Sequence, residues 1–471
     1  MFSLTHADRQ PTRVAVRSVS FLVAKHKERS RMDTTRFAAW RVALYQTFTR
    51  GTDTLMNTLD ALLVATSVHH PIELTLMFPF ARRWSSFYQD LQRGHIQRRA
   101  LRQAYVDFLP YTPGTRLVLA VDPCSIRRPL AATARDRMAV HAPTESAGTA
   151  PVGLGWQFAA LAVVPDPPSS WSYYLDCTRI RSGTTAARMA ALQLSSVLPA
   201  LPARPVVLGD RYFGSATFVL GTKTLACDKL LRIQTHRVFY RPPPVPDPHR
   251  RGRRPQKGAR FQPKDPTTHG PPTAQWSGDD ARGRAVTVTA WADLAFKEDP
   301  GYRLTLLQCA RQDGPATKRD PRVIWLLWAS PDPAPLADAP DLYTRRFSID
   351  HGFRFDKQAF RWEDLRVRTP AQFQRWTDLL TAAHNTLGVA RSLGVDARLP
   401  WERTPHRPMT PQHVRRALPG ILAKLGTPAA LPQPRGKSPG RRRGTVVRPA
   451  KRYPIVVKGR PPTAHAPPVV P

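Results

Sequence analysis

Cysteine is scarce in this chain: Cys124, Cys177, Cys227 and Cys309 are the only four in 471 residues, and no two form a C-x-x-C pair. That spacing argues against a zinc module or a disulfide framework and fits a reducing cytosol. No apolar run approaches the ~18 residues of a membrane span, which argues against a transmembrane protein. Residues 1–31 hold scattered Arg and Lys but no apolar core followed by a small-residue cleavage site. They are read as an upstream extension, with Met32 as the expected start. Acidic residues are the largest shortage. Asp and Glu number 34 against 71 Lys and Arg, an excess of 71 − 34 = 37 positive charges, and none follows Glu402. This is far beyond what solubility needs and points to a polyanion, foremost nucleic acid, bound through counterion release. No amphipathic basic helix dominates the sequence, so a membrane surface is the weaker alternative.

In what remains, periodicity gives an order of elements. Leu55, Leu59, Leu62 and Leu63 follow a 3.6-residue spacing, and the stretch 34–108 reads as helical. Arg82, Arg83, Arg93, Arg98 and Arg99 stud its polar side, as on a DNA-end-binding domain or on any solvated helical bundle. Strand-like runs then occupy 116–121, 155–164, 170–179, 205–208 and 230–234, with helices at 184–198 and 215–220. The resulting order is β-β-β-α-β-α-β, with Asp122 and Asp210 at the ends of the first and fourth strands. Residues 241–276 are Pro- and Arg-rich and read as an extended, mobile basic loop. Three runs at 284–291, 302–309 and 322–328 suggest a small antiparallel insertion, and 371–393 reads as a long amphipathic helix. The tail is Pro-rich and basic, with ten Lys or Arg between Arg435 and Arg460, and reads as a disordered phosphate-binding arm.

One stretch has an unusual helix face. In DLYTRRFSIDHGFRFDK (341–357), Tyr343, Arg346, Asp350 and Lys357 are spaced by three, four and seven residues. At about 100° per residue they fall within roughly ±40° of one another. A carboxylate between two cations, with a phenol nearby, suits an anionic substrate and a metal ion better than it suits packing. Together with Asp122 and Asp210 it makes a three-carboxylate set drawn from separate elements, the donor type that hard divalent cations such as Mg²⁺ require. Singly, each acid has an ordinary reading as turn, cap or surface ion-pair residue. Asp356 lies about 120° off the Asp350 face, and Asp364 lies about 21 Å further along a continuous helix, so neither replaces Asp350.

LAVDPCSI around Asp122, VVLGDRYFGS around Asp210 and the pattern Tyr343-(2)-Arg346-(3)-Asp350-(6)-Lys357 resemble the DDE transposases of bacterial insertion sequences. The likeness is to the cut-and-paste branch with a Y-(2)-R-(3)-E-(6)-K signature and a β-strand insertion before the third acid. It covers roughly 116–393, with 210 − 122 = 88 and 350 − 210 = 140 residues between the acids.

The resemblance implies an α/β fold with an RNase H-like mixed sheet flanked by helices, an N-terminal helical domain and a β-rich insertion. The corresponding division is 1–31 an uninformative N-terminus, 32–112 a helical DNA-binding domain, 113–238 the first part of the core, 239–335 the basic loop and insertion, 336–400 the second part of the core, and 401–471 the basic tail. It implies Asp122, Asp210 and Asp350 as catalytic ligands of two Mg²⁺ ions, replaceable by Mn²⁺. Tyr343, Arg346 and Lys357 would hold flanking phosphates, with Arg354 and Arg361 as further backbone contacts. The partners would be double-stranded DNA, as terminal inverted repeats and target, and a second subunit in a synaptic homodimer acting on the bacterial nucleoid in the cytoplasm.

Trp276, Trp291, Trp325 and Trp328 are candidates to stack on a flipped base, although core packing explains each one more simply. The chain departs from the pattern at its third acid, which is Asp350 rather than Glu and about 1.5 Å shorter in reach. His351 beside it is expected to be exposed and inert. The expected activity is metal-dependent cleavage at transposon ends followed by strand transfer. The alternatives are an inactive transposase-derived DNA-binding protein, an RNase H-like structure-selective nuclease, and a basic RNA- or ribosome-associated protein.

Overall fold

A computed structural model describes residues 32–141, 152–245, 255–312, 321–394, 398, 401, 409–434, 440, 442–446 and 448–457. The proposed N-terminal extension and the last part of the tail therefore lie outside the described residues.

Helix α1 spans 32–47 and is followed by β1 (Phe48–Arg50), α2 (Thr52–Val64), α3 (Trp84–Arg93), β2 (His95–Ile96) and α4 (Arg98–Asp107). These helices share one hydrophobic core with the rest of the chain. The Trp40 indole of α1 donates to Thr386 Oγ1 at 2.9 Å, and the Tyr105 hydroxyl of α4 meets Thr381 Oγ1 at 3.0 Å. Helix α2 is buried along nearly its whole length because helices from the far end of the chain cover it.

The central elements follow as β3 (Val118–Arg127), β4 (Met138–His141), β5 (Val152–Val163), β6 (Tyr173–Ile180), α5 (Ala186–Val197), β7 (Val206–Gly209), α6 (Ala216–Gly221) and β8 (Asp228–Arg232). The apolar runs in the sequence mark most of these strands, with β4 as an addition. Strand β3, however, continues six residues past the expected 116–121 because Asp122–Arg127 pair with β5, so Asp122 lies within the strand and not at its end. Helix α5 starts where Thr185 caps it, its hydroxyl accepting from Arg188 N at 3.3 Å. Then come β9 (Phe239–Tyr240), β10 (Arg260–Phe261), β11 (Ala274–Asp279), β12 (Ala285–Phe296), β13 (Asp299–Arg311) and β14 (Val323–Ala329).

All the strands from β3 onward belong to one mixed sheet of twelve, ordered β10-β9-β12-β13-β14-β8-β7-β3-β5-β4, with β11 on β12 and β6 on β5. The expected insertion is thus continuous with the central sheet, because β14 pairs antiparallel with β8. Part of the loop expected to be mobile is packed. Phe261 is fully buried, its ring 4.8 Å from His269 and 5.6 Å from Trp291. A single phenylalanine on a two-residue strand anchors the segment despite its prolines and arginines. Residues 246–254 of the same loop lie outside the described residues.

The chain closes with α7 (Ala339–Thr344), α8 (Phe347–Ala359), α9 (Pro370–Val389) and α10 (Pro411–Leu425). Thr369 and Thr410 cap α9 and α10, each with proline in the first turn. Helix α10 lies within the segment read as tail. Val414, Leu418 and Leu422 recur every four residues and bury against the core. Arg415, also buried, donates to the carbonyls of Leu62, Ala65 and Ala359. Further on, Tyr453 N bonds Ala132 O at 2.9 Å and Val456 N bonds Arg137 O at 2.8 Å, so this part of the arm lies along the edge strand β4. No helix among the described residues is long and apolar enough to cross a membrane.

Candidate active site

The first two acids are brought together by strand register. β3 and β7 run parallel, with Val121 opposite Gly209 as the last pair, so Asp122 and Asp210 stand side by side just beyond it. Gly209 is needed there, since a Cβ would collide with the Phe213 side chain and Leu231. Asp210 opens a turn in which its Oδ1 accepts from Tyr212 N at 2.9 Å. Its turn role and its place beside Asp122 therefore coexist.

The third acid arrives on α8, which packs on β3. The stretch 341–357, read as one helix, is two: α7 ends at Thr344, and Arg345–Arg346 form a turn before α8. Arg346 then reaches Asp122 Oδ2 at 3.1 Å and Asp350 Oδ2 at 3.5 Å through the same nitrogen. Burial pushes the Asp122 carboxyl well above its usual range; Arg346 pulls it back, while Asp350 and Asp210 push it further up. Burial also works against the Arg346 charge, but Asp122, Tyr343, Asp350 and Asp210 more than restore it. The three carboxylates and the guanidinium thus form one electrostatic unit. Arg346 Nε is buried and has no hydrogen-bond partner.

Tyr343 is buried, which raises its phenol pKa, with Arg346 and Arg232 opposing. Lys357 does not flank Asp350 as the helix face suggested. Its ammonium bonds the Ser125 carbonyl at 2.8 Å and Glu363 Oε1 at 2.6 Å, extending the cluster along β3. Arg354 and His351 are exposed, whereas Arg361 is taken up by Asp364 at 2.6 Å and the His69 carbonyl. Asp350 is about half exposed, at 48% for the side chain. Trp291, Trp325 and Trp328 are core residues, and Trp276 on the edge strand β11 is half-buried over Gly278.

A buried polar network behind α8 was missed from sequence. Asp356 accepts from the Tyr174 hydroxyl at 2.7 Å and meets His384 Nδ1 at 2.8 Å, and His384 Nε2 faces Ser172 Oγ and Ser172 O, each at 3.2 Å. Asn385 holds the Tyr174 backbone through both its amide atoms at 2.8 Å. Gly352 gives this contact its closeness, since a Cβ there would run into Ser172 Oγ. The signal available in the sequence was the polar pair His384–Asn385 inside the apolar run of α9. The network fixes α8 against β6 and α9, and so fixes the height at which Asp350 stands over β3.

The oxygen-only donor set of Asp122, Asp210 and Asp350 has the chemistry a hard divalent cation takes. With Arg346 between two of them, the three are not drawn into one coordination shell. Among the described residues no three His, Cys, Asp or Glu are grouped closely enough to hold a metal as they stand.

The sequence profile described as "DDE superfamily endonuclease" matches residues 43–293, just over half of the 471-residue chain and a span that holds Asp122 and Asp210 but not Asp350. No curated protein matches the chain. A solved structure described as a piggyBac transposase synaptic complex with hairpin DNA is similar at 10% sequence identity and a TM-score of 0.40, over 80% of this chain and 74% of that one.

Proposed function

Because the chain belongs to the DDE superfamily of endonucleases, we propose that it is a DNA transposase that cuts the ends of its element and joins the freed 3′ ends to target DNA. The observation that carries this reading is the juxtaposition of Asp122 and Asp210 across the parallel β3–β7 ladder, with Arg346 linking Asp122 to Asp350. Asp122, Asp210 and Asp350 are the residues that would hold the divalent cations, Mg²⁺ by preference and Mn²⁺ as substitute. Such ions, when bound, polarise the attacking water or 3′-hydroxyl and stabilise the departing oxygen.

The remaining roles fall to the protein's own groups. Arg346 opposes the burial and the neighbouring acids that push the Asp122 carboxyl up, and its guanidinium is the cation nearest the three acids, the group suited to a phosphate oxygen. Lys357, whose charge is paired with Glu363, and the buried Tyr343 are read as the groups that would steady flanking phosphates once DNA is bound. The central sheet is read as an RNase H-like core, α1–α4 as DNA-contacting helices, and the active form as a synaptic homodimer on double-stranded DNA at the bacterial nucleoid. The Y-(2)-R-(3)-E-(6)-K signature, with Asp in the third place, supports an insertion-sequence origin.

A second reading, a DNA-binding descendant that has lost catalysis, is favoured by one observation. Asp350 is a methylene short and half-exposed, and its nearest cation is shared with Asp122. The test is strand transfer of pre-cut ends bearing the sequences that flank the reading frame. Joined products with Mg²⁺ or Mn²⁺ support the transposase. Binding without joining supports the second reading, and cleavage without joining supports a structure-selective nuclease.

A further inference from the structure

A second concave site lies away from the acids. A cavity of about 740 Å³ opens between the end of β6, the start of α9 and the arm segment 450–453. Six cations line it, Arg98, Arg135, Arg179, Arg181, Arg368 and Lys451, and no carboxylate does. Two are compensated from behind: Arg98 by Asp176 at 2.7 Å and Asp378 at 3.1 Å, and Arg179 by Asp136. The other four are exposed, and none is in an ion pair among the described residues.

Like charges converging on one concavity repel, and an anion relieves that repulsion. Arg181 and Arg368 sit in the turns that directly follow β6 and precede α9, while Arg135 and Lys451 lie in loops. Arg135 stacks on the Tyr453 ring at 4.8 Å, and Lys451 lies 5.6 Å from the same ring. Tyr453 is held in turn by the bond from its backbone N–H to Ala132 O. The first turn of α9 adds the positive end of a twenty-residue helix, with Ala371 on the cavity wall; Thr369 already takes the N–H of Gln372 and its carbonyl that of Phe373.

We propose that this cavity grips the phosphodiester backbone of DNA beside the cleavage site, an inference that rests on the DNA-acting function proposed above. The six cations come from five separate segments and their combined charge exceeds that of a single phosphate, which suits successive phosphates along a strand. Register fixes the spacing to the acids. Pro123, next to Asp122, pairs with Ala159, and Ala159 pairs with Thr178 on the cavity wall. Two strand spacings amount to about 10 Å. Phosphates rise about 3.4 Å per nucleotide along the duplex axis. A separation of about 10 Å at the near wall therefore places the gripped phosphates within a few nucleotides of the scissile one.

The experiment measures duplex binding by the full-length protein between about 50 and 200 mM salt, comparing wild type with Arg135→Ala/Arg181→Ala/Arg368→Ala. Each lost phosphate contact lowers the slope of log K against log salt by about 0.9, so the triple variant loses about 2 to 3 units of slope. A control triple of exposed cations elsewhere, Arg188→Ala/Arg282→Ala/Lys297→Ala, leaves most of the slope in place. An unchanged slope in the cavity variant, or an equal loss in the control, overturns the proposal. Cleavage read alongside separates the two claims. A slope loss without any wild-type cleavage sinks the enzyme reading and leaves the cavity standing. An unchanged slope with cleavage intact sinks the cavity alone.

Discussion

Gly352→Ala tests how the third acid is positioned. On an exposed helix face the change would stabilise the protein by up to about 1 kcal/mol, since alanine is the better helix former. Here the new Cβ meets Ser172 Oγ well inside 3.0 Å, with the Tyr174 hydroxyl at 3.4 Å and His384 Cε1 at 3.5 Å. All three neighbours are buried and tied into the Asp356 network, so none can swing clear. Overpacking of this kind costs about 1–3 kcal/mol, which leaves a net loss on the order of 1–2 kcal/mol after the helix-propensity gain.

Because Asp350 lies two residues away, pushing α8 off β6 also displaces it, and a shift of about 1 Å in a catalytic group can cost on the order of 100-fold in rate. Ser172→Ala removes the colliding oxygen and leaves no orphan on the imidazole, because His384 Nε2 still faces Ser172 O at 3.2 Å. Denaturant unfolding of the two single variants and the double variant should therefore show favourable coupling of about 1–2 kcal/mol, with metal-dependent cleavage partly restored in the double. If Gly352→Ala is as stable as wild type, or the two changes are additive, the account of how α8 is seated is wrong.

Two further outcomes are expected. Asp350→Glu adds about 1.5 Å of reach at a half-exposed position, so stability should change by less than about 0.5 kcal/mol while metal-dependent nicking rises. Nicking absent from both forms removes Asp350 from the site. Burial pushes the thiols of Cys124 and Cys309 up to about 12. Their pKa values are raised, so the thiolate fraction at pH 8 is about a thousandfold below that of a free cysteine. Ellman's reagent should therefore label neither in the native protein and both after denaturation, whereas rapid native labelling would show that the sheet around them opens.

The parts of this fold legible in the sequence are those set by local apolar pattern. RLVLAV, PVVL and VIWLLW are buried β-branched or aliphatic runs, and they became β3, β7 and β14. Asp122 and Asp210 were legible because each follows such a run directly. The rest depended on long-range partners. Nothing in FQPKDPTTH announces that Phe261 and His269 meet Trp291 from a distant strand. Thr410 and the four-residue spacing of Val414, Leu418 and Leu422 were present, but the surrounding basic composition masked α10. The break at Arg345–Arg346 was invisible because both residues keep helical dihedrals. A helical wheel also treats Lys357 as a free cation, whereas Glu363, six residues on, and the Ser125 carbonyl claim it.

The central claim is that Asp122 and Asp210 together do chemistry on DNA. Its most direct test is nicking of a supercoiled plasmid carrying the native flanking ends, with Mg²⁺ or Mn²⁺ and with chelator, by wild type, Asp122→Asn and Asp210→Asn. The account predicts nicking by wild type that chelator abolishes, and none by either variant, with DNA binding retained in both. Nicking that survives in either variant, or that persists with chelator, would contradict it.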